Sequence, residues 1–236
     1  MQINVLGTGG AVDELSTSYI VNNTILVDCG IDIIKKIIKS NEIASIDTLF
    51  LTHLHMDHVS GLELLIYYIQ FVKKDNFKIY AGLDFIDFYK QLKCSLSVNS
   101  EYYQPFDFIE IKHMDNIDCN DYLSCNILKT IHMNGSIESY SFTFIENKER
   151  IVRVIISGDT DTPLLTTNRI LEKLNVYCFH DMGWTGVKNK NIFKAHPTEL
   201  DVLDQIGASK RVFGIHLNDN CVLEHFNRAE VKNYTF

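Results

Sequence analysis

The chain has 236 residues, 46% hydrophobic and 22% charged, with 22 basic against 30 acidic side chains and a formal net charge of −8. Such a chain can bury a core of good size, and its acidic balance argues against a protein built around a broad basic nucleic-acid surface. No basic segment precedes a long apolar core, no apolar run reaches membrane-spanning length, and the six cysteines form no Cys-x-x-Cys pair; the expectation is a cytoplasmic protein with reduced thiols and no membrane contact.

In chain order, QINVLG, TSYIV and TILVD read as strands separated by turn residues that include Gly7, Gly9 and Gly10. CGIDIIKKIIKSN has apolar residues at helical spacing, and IDTLFLT reads as a short buried strand. VSGLELLIYYIQFVKK is the next helix, with Ser60 a candidate cap. The alternation continues with strand FKIYA, helix LDFIDFYKQLK and strand FDFIEIKHM. CNILKTI, SYSFTFIE and RIVRVIIS are closely spaced and suggest an antiparallel meander. Helix PLLTTNRILEKL, strand VYCFH, helix PTELDVLDQIG and strand KRVFGIH follow. With three prolines, no low-complexity run and no repeat, one domain over 1–236 is the simplest reading. Mixed strands and helices imply an α/β fold of two packed sheets with helices outside.

Chemistry gathers at the strand ends. LTHLHMDHVSGL places His53, His55, Asp57 and His58 within six positions, directly after a strand. One histidine there would read as a solvated or hydrogen-bonded side chain; four such groups in His-x-His-x-Asp-His spacing read as metal ligands. His132 ends CNILKTIH, Asp159 ends RIVRVIISGD, His180 and Asp181 end VYCFHD, and His216 ends KRVFGIH, while His196 precedes a helix in KAHPTEL. Binding residues cluster on loops at one rim of a rigid scaffold, which this recurrence suggests. Asp161, Asn218 and Asp219 lie beside these groups as candidates for touching substrate, and His113 and His225 read as surface residues.

THLHMDH, the upstream VDCG, and His132, Asp159 (in SGDT) and His216 in that order resemble the metallo-β-lactamase superfamily over nearly the whole chain. SGDTDTP, FHDMGW and KAHPTEL are most similar to its phosphodiesterase branch, which includes the tRNA 3′-processing nucleases and cyclic-nucleotide phosphodiesterases. The resemblance implies a four-layer αβ/βα sandwich holding two metal ions. Zinc suits nitrogen and carboxylate ligands; manganese or iron is also compatible, because no thiolate enforces zinc. Carried over by position, His53, His55 and His132 would hold one ion, and Asp57, His58 and His216 the other, with Asp159 bridging. Asp57 would also orient a hydroxide held between the metals. In the nuclease branch a carboxylate–histidine pair serves the leaving group; Asp181 and His196 match it, with aspartate in place of glutamate, and a purely structural His–Asp pair is the competing reading. Asp28 reads equally as a hydrogen-bond partner of the histidine loop or as a turn carboxylate. His180 reads as a neighbour of the ligands or as core.

The function implied is a metal-dependent phosphodiesterase hydrolysing a small cyclic nucleotide. The short chain and its GTGG…TSYIV…ILVDCG opening are similar to phage and bacterial enzymes that degrade cyclic-nucleotide immune signals, the anti-Pycsar type. The competing enzyme is a tRNA 3′-processing endonuclease of the RNase Z kind. Those enzymes grip tRNA with an inserted basic arm, whereas LDFIDFYKQLKCSLSVNSEYYQPFDFIE is neither basic nor glycine-rich. A third reading, a metal-binding protein without catalysis, conflicts with retention of all seven candidate ligands. A homodimer is also implied, with YYIQFVKK and SVNSEYYQPFDF as candidate contact segments.

Overall fold

Strands with buried residues on both faces need cover on both sides, and the chain provides it in four layers. The computed structural model describes all residues except 11, 12, 14, 74, 96–105, 165–170, 172, 184–195, 208, 218–222 and 224–225. Asn218, Asp219 and His225, most of the expected 163–174 helix and most of the SVNSEYYQPFDF segment fall outside the described residues.

The first sheet contains β1 (Gln2–Gly7), β2 (Ser18–Val21), β3 (Ile25–Val27), β4 (Thr48–Phe50), β5 (Phe77–Ala81), β6 (Phe106–Glu110) and β14 (Asn233–Thr235), in the order β14-β1-β2-β3-β4-β5-β6. The second contains β7 (Asn116–Asn120), β8 (Leu123–His132), β9 (Ile137–Asn147), β10 (Ile151–Ile156), β11 (Val176–Asp181), β12 (Val212–Ile215) and β13 (Asn227–Arg228), in the order β13-β12-β11-β10-β9-β8-β7. Period-two alternation sorts the side chains. Ile3, Val5, Phe50, Phe142, Phe144 and Phe179 fill the space between the sheets. The opposite faces take the helices: Ile33, Ile34 and Ile37 of α1 (Ile31–Lys39) and Leu62, Leu65 and Ile66 of α3 (Leu62–Tyr68) pack against the first sheet. Val202 and Ile206 of α5 (Glu199–Ile206) pack against the second. Two more helices, α2 (Met56–Val59) and α4 (Leu83–Ser95), belong to the first half. This is the expected αβ/βα sandwich.

Strand direction then places the chemistry. β3, β4 and β5 are mutually parallel, as are β10, β11 and β12. β8 reaches β10 through two antiparallel steps, so it points the same way. The C-terminal ends of each parallel group therefore share one rim.

Three readings change. Ser60 does not cap its own helix, whose N-cap is Gly61; its hydroxyl accepts the Ile31 N–H at 3.0 Å and serves the first residue of α1. FDFIEIKHM is strand only to Glu110, and β7 was not read from sequence. The helix from Leu62 passes into a π-helical turn at Ile69–Lys73.

Candidate metal centre

The histidine loop is set from below by one carboxylate. Asp28 follows β3 in a left-handed backbone conformation (φ 59°) and is 1% exposed. Its Oδ1 accepts the Thr52 N–H at 2.8 Å, and its Oδ2 accepts from His58 Nδ1 at 2.8 Å and from the Thr52 hydroxyl at 2.9 Å. With the Thr52 proton given to Asp28, Thr52 Oγ1 accepts from His53 Nδ1 at 3.0 Å. Both rings thus carry their proton on Nδ1 and keep the Nε2 lone pair free. Asp28 is therefore a partner of the loop rather than a bare turn carboxylate, and Thr52 is a link that sequence reading did not assign.

The second sheet brings the facing groups. Asp159 follows Gly158, whose φ of +60° and approach to the Tyr140 carbonyl (2.6 Å from an added Cβ) suit only glycine. Asp159 Oδ2 lies 3.5 Å from His53 Nε2, and its Oδ1 lies 3.4 Å from His58 Nε2. His132 Nε2 is 3.2 Å from His55 Nδ1. Asp57 Oδ2 is 3.4 Å from His58 Nε2 and 3.3 Å from His216 Nε2. His216 is itself left-handed (φ 58°). Its ring rests on Gly10, where an added Cβ would come within 2.9 Å of Nε2, which gives the glycine turn after β1 a role beyond chain reversal. His196 donates from Nδ1 to Asp181 Oδ2 at 2.7 Å, so the shorter aspartate does reach. Asp181 is fully buried and is fixed further by the N–H groups of Thr160 (3.0 Å) and Gly183 (2.9 Å). His180 belongs to the core: Nε2 accepts from Leu164 N at 3.0 Å and Nδ1 bonds the Asp181 carbonyl at 2.8 Å. His113 is exposed, as read.

Residues 1–233 match the family described as Anti-Pycsar protein Apyc1. The chain belongs to this family. The Anti-Pycsar protein Apyc1 of Paenibacillus sp. (strain J14) is 29% identical over 203 residues, covering 79% of this chain and 78% of that protein. Two solved structures share the fold: human tRNase Z, short form (ELAC1), with a TM-score of 0.72 at 19% identity over 100% of this chain and 99% of that one, and the metallo-β-lactamase fold protein YhfI from Bacillus subtilis, with 0.71 at 16% over 99% of each. This Apyc1-family chain is a metallo-β-lactamase-fold, metal-dependent hydrolase.

The residues present fit metal ions. Among the described residues, the buried atoms His53 Nε2, His58 Nε2 and Asp159 Oδ2 have no hydrogen-bond partner, an arrangement that costs free energy unless a cation satisfies them. Five ligand-atom separations of 3.2–3.5 Å match the edge of a tetrahedron with metal–nitrogen bonds of about 2.0–2.1 Å, while Asp159 Oδ2 lies farther from His216 Nε2 (3.7 Å) and His132 Nε2 (3.9 Å). Two groupings emerge: His53, His55, His132 and Asp159, and Asp57, His58 and His216. A third, Asp159, Asp181, His196 and His216, shares members with both. The electrostatics of this Apyc1-family site agree with cation binding. Burial pushes His53, His55 and His132 down, keeping them neutral. Burial would also lower His58 and His216, but Asp159 and the neighbouring carboxylates overcome it, raising His58 and bringing His216 up to about 9. Asp57 resists its burial through the hydrogen bond from His216 and the nearby charge of His58, and Asp159 through the charges of His216, His58 and His53; both carboxyls sit well below the usual range. Carboxylates that hold protons on histidines here would hold metal cations in competition with those protons.

Proposed function

We propose that this protein is a phosphodiesterase that opens a small cyclic nucleotide, with His53, His55 and His132 holding one zinc ion, Asp57, His58 and His216 a second, and Asp159 bridging. When bound, the two ions supply Lewis-acid polarisation of the phosphoryl group and a hydroxide nucleophile at neutral pH. The chain's own residues do the rest. Asp57 has its Oδ2 3.4 Å from His58 Nε2 and 3.3 Å from His216 Nε2, and besides holding metal it would orient the attacking oxygen by accepting its hydrogen. His196 gives one N–H to Asp181 and keeps Nε2 for the departing ribose oxygen. Burial lowers the His196 pKa, but the Asp181 charge and hydrogen bond raise it above the ordinary value, the direction that favours the protonated ring a proton donor needs.

The observation that carries this reading is the 2.7 Å His196–Asp181 pair lying 4.0 Å from Asp159: a proton donor beside a clustered ligand set is what phosphoester cleavage with a poor leaving group needs. A cyclic nucleotide is favoured over tRNA by the net charge of −8, since a tRNA binder neutralises several phosphates. A reducing, cytoplasmic setting is supported by the free thiols of Cys29, Cys119, Cys125 and Cys178. Among the described residues no helix is long and apolar enough to cross a membrane. A homodimer is part of the proposal, supported by the exposed Tyr67, Phe71 and Val72 of YYIQFVKK. The test is a turnover screen of cyclic mono- and dinucleotides, bis-p-nitrophenyl phosphate and precursor tRNA, with metal analysis of the same sample. Hydrolysis of a cyclic nucleotide with tRNA left intact is expected; tRNA cleavage without cyclic-nucleotide turnover would overturn the reading.

A further inference from the structure

His132 ends its strand at a turn that ought to be unstable. The next two residues, Met133 and Asn134, both have left-handed backbones (φ 52° and 54°), and neither is glycine. The N–H groups of both residues are held by a single carboxylate. Asp161 Oδ1 accepts the Met133 N–H at 2.8 Å, and Asp161 Oδ2 accepts the Asn134 N–H at 2.6 Å. The carboxylate is 9% exposed, so these are charge-assisted bonds sheltered from water.

The same short segment grips the other side of His132. The Asp161 N–H donates to the Ile131 carbonyl at 2.6 Å, and the Thr160 hydroxyl reaches that carbonyl at 3.4 Å. Asp161 Oδ1 also faces His132 Nδ1 at 3.6 Å, beyond hydrogen-bond range but with the sign that favours a proton on Nδ1. That leaves Nε2 to face His55. Both oxygens of Asp161 are engaged with the turn.

We infer that Asp161 is a positioning residue that seats His132 for metal binding, and that it does so by clamping the left-handed turn that follows it. The inference rests on the two-metal reading above. It makes residues 159–161 a single device: Asp159 faces the ligands of both groupings, the Thr160 N–H holds Asp181, and Asp161 holds His132.

The experiment is a titration of metal-stripped protein with cobalt(II), followed by its visible d–d absorption, which reports ligand geometry. Wild type is expected to take up two equivalents. In Asp161→Asn the amide NH2 would confront a backbone N–H, releasing one side of the clamp. One equivalent should then bind as in wild type, with the other weakened about 10- to 100-fold and its absorption band altered. Should Asp161→Asn fail to fold, Asp161→Ala and Asp161→Ala with Asn134→Gly carry the test, because glycine takes the left-handed conformation without a clamp; the second equivalent should bind at least tenfold more tightly in the double variant than in Asp161→Ala, and no recovery would overturn the inference. Two equivalents bound by Asp161→Asn with unchanged affinity and spectrum would overturn the inference. Failure of wild type to bind two ions would instead sink the reading of the centre.

Discussion

His196 and Asp181 are separated by 15 positions along the chain and by 2.7 Å in space, and the role proposed for them makes a sharp prediction at the residue scale. A ribose alkoxide cannot leave without a proton, whereas p-nitrophenolate can. His196→Ala should therefore slow hydrolysis of a cyclic nucleotide about 10²- to 10⁴-fold while slowing bis-p-nitrophenyl phosphate far less, with metal content unchanged. Paired initial rates on the two substrates check this; equal losses with both metals bound would assign His196 to substrate positioning. Legibility at this scale depends on range. The His-x-His-x-Asp-His spacing is local, so one loop and one helical turn suffice to gather its members. The links that orient them are not local. Asp28 meets Thr52 across 24 positions, and Gly10 meets His216 from the far end of the chain. In sequence Asp28 reads equally as a partner of the histidine loop and as a turn carboxylate, Thr52 carries no signal, and Gly10 reads only as a turn glycine.

At the scale of elements, α5 begins with a capping box. Thr198 Oγ1 accepts the Asp201 N–H at 3.3 Å, and Asp201 Oδ2 accepts the Thr198 N–H at 2.6 Å. Thr198→Ala removes one half of this exchange and should lower the unfolding free energy by about 1 kcal/mol. His196 lies just two residues earlier, so turnover should also fall while metal binding does not change. Urea unfolding together with metal analysis measures both, and an unchanged midpoint would mean that the box carries no stability. The strand FKIYA, with strong apolar periodicity, is readable to the residue, and the helices are readable as elements with shifted ends. β7 was not, for a physical reason. NIDCN offers only Ile117 and Cys119 to the core side and alternates with exposed Asn116, Asp118 and Asn120, so it becomes a strand by pairing with β8 and not by its own propensity. Ser60 shows the same limit: a cap residue is recognisable, but which helix it caps depends on packing.

For the molecule as a whole, the two halves meet in the aromatic layer around Phe50, which stacks on Tyr80 and meets Phe142 and Phe144 edge-on. They are also tied at the rim by a carboxyl pair. Asp84, at the start of α4, hydrogen-bonds Glu138 of β9, which also pairs with Lys129 at 2.7 Å. Burial, and then the Glu138 charge, push Asp84 up to about 6. Glu138 is held below its ordinary value against its own burial, chiefly by Lys129. An aspartate whose folded pKa exceeds its unfolded value of about 3.9 stabilises most below that value and loses the contribution as pH rises through about 6. Asp84→Asn keeps a neutral partner for Glu138 at every pH. Relative to wild type it should therefore gain stability between pH 5 and pH 7.5. Urea midpoints of both proteins at the two pH values check this, and a constant difference would contradict it.

The central claim is that two ions act together on a cyclic nucleotide, and a single titration addresses it. Metal-stripped protein is titrated with zinc while the initial rate of cyclic-nucleotide hydrolysis is recorded. The ligand set of His53, His55, Asp57, His58, His132, Asp159 and His216 predicts a rate that climbs until two equivalents per chain are bound and then levels off. A rate already complete at one equivalent, or no hydrolysis with two ions bound, would contradict it.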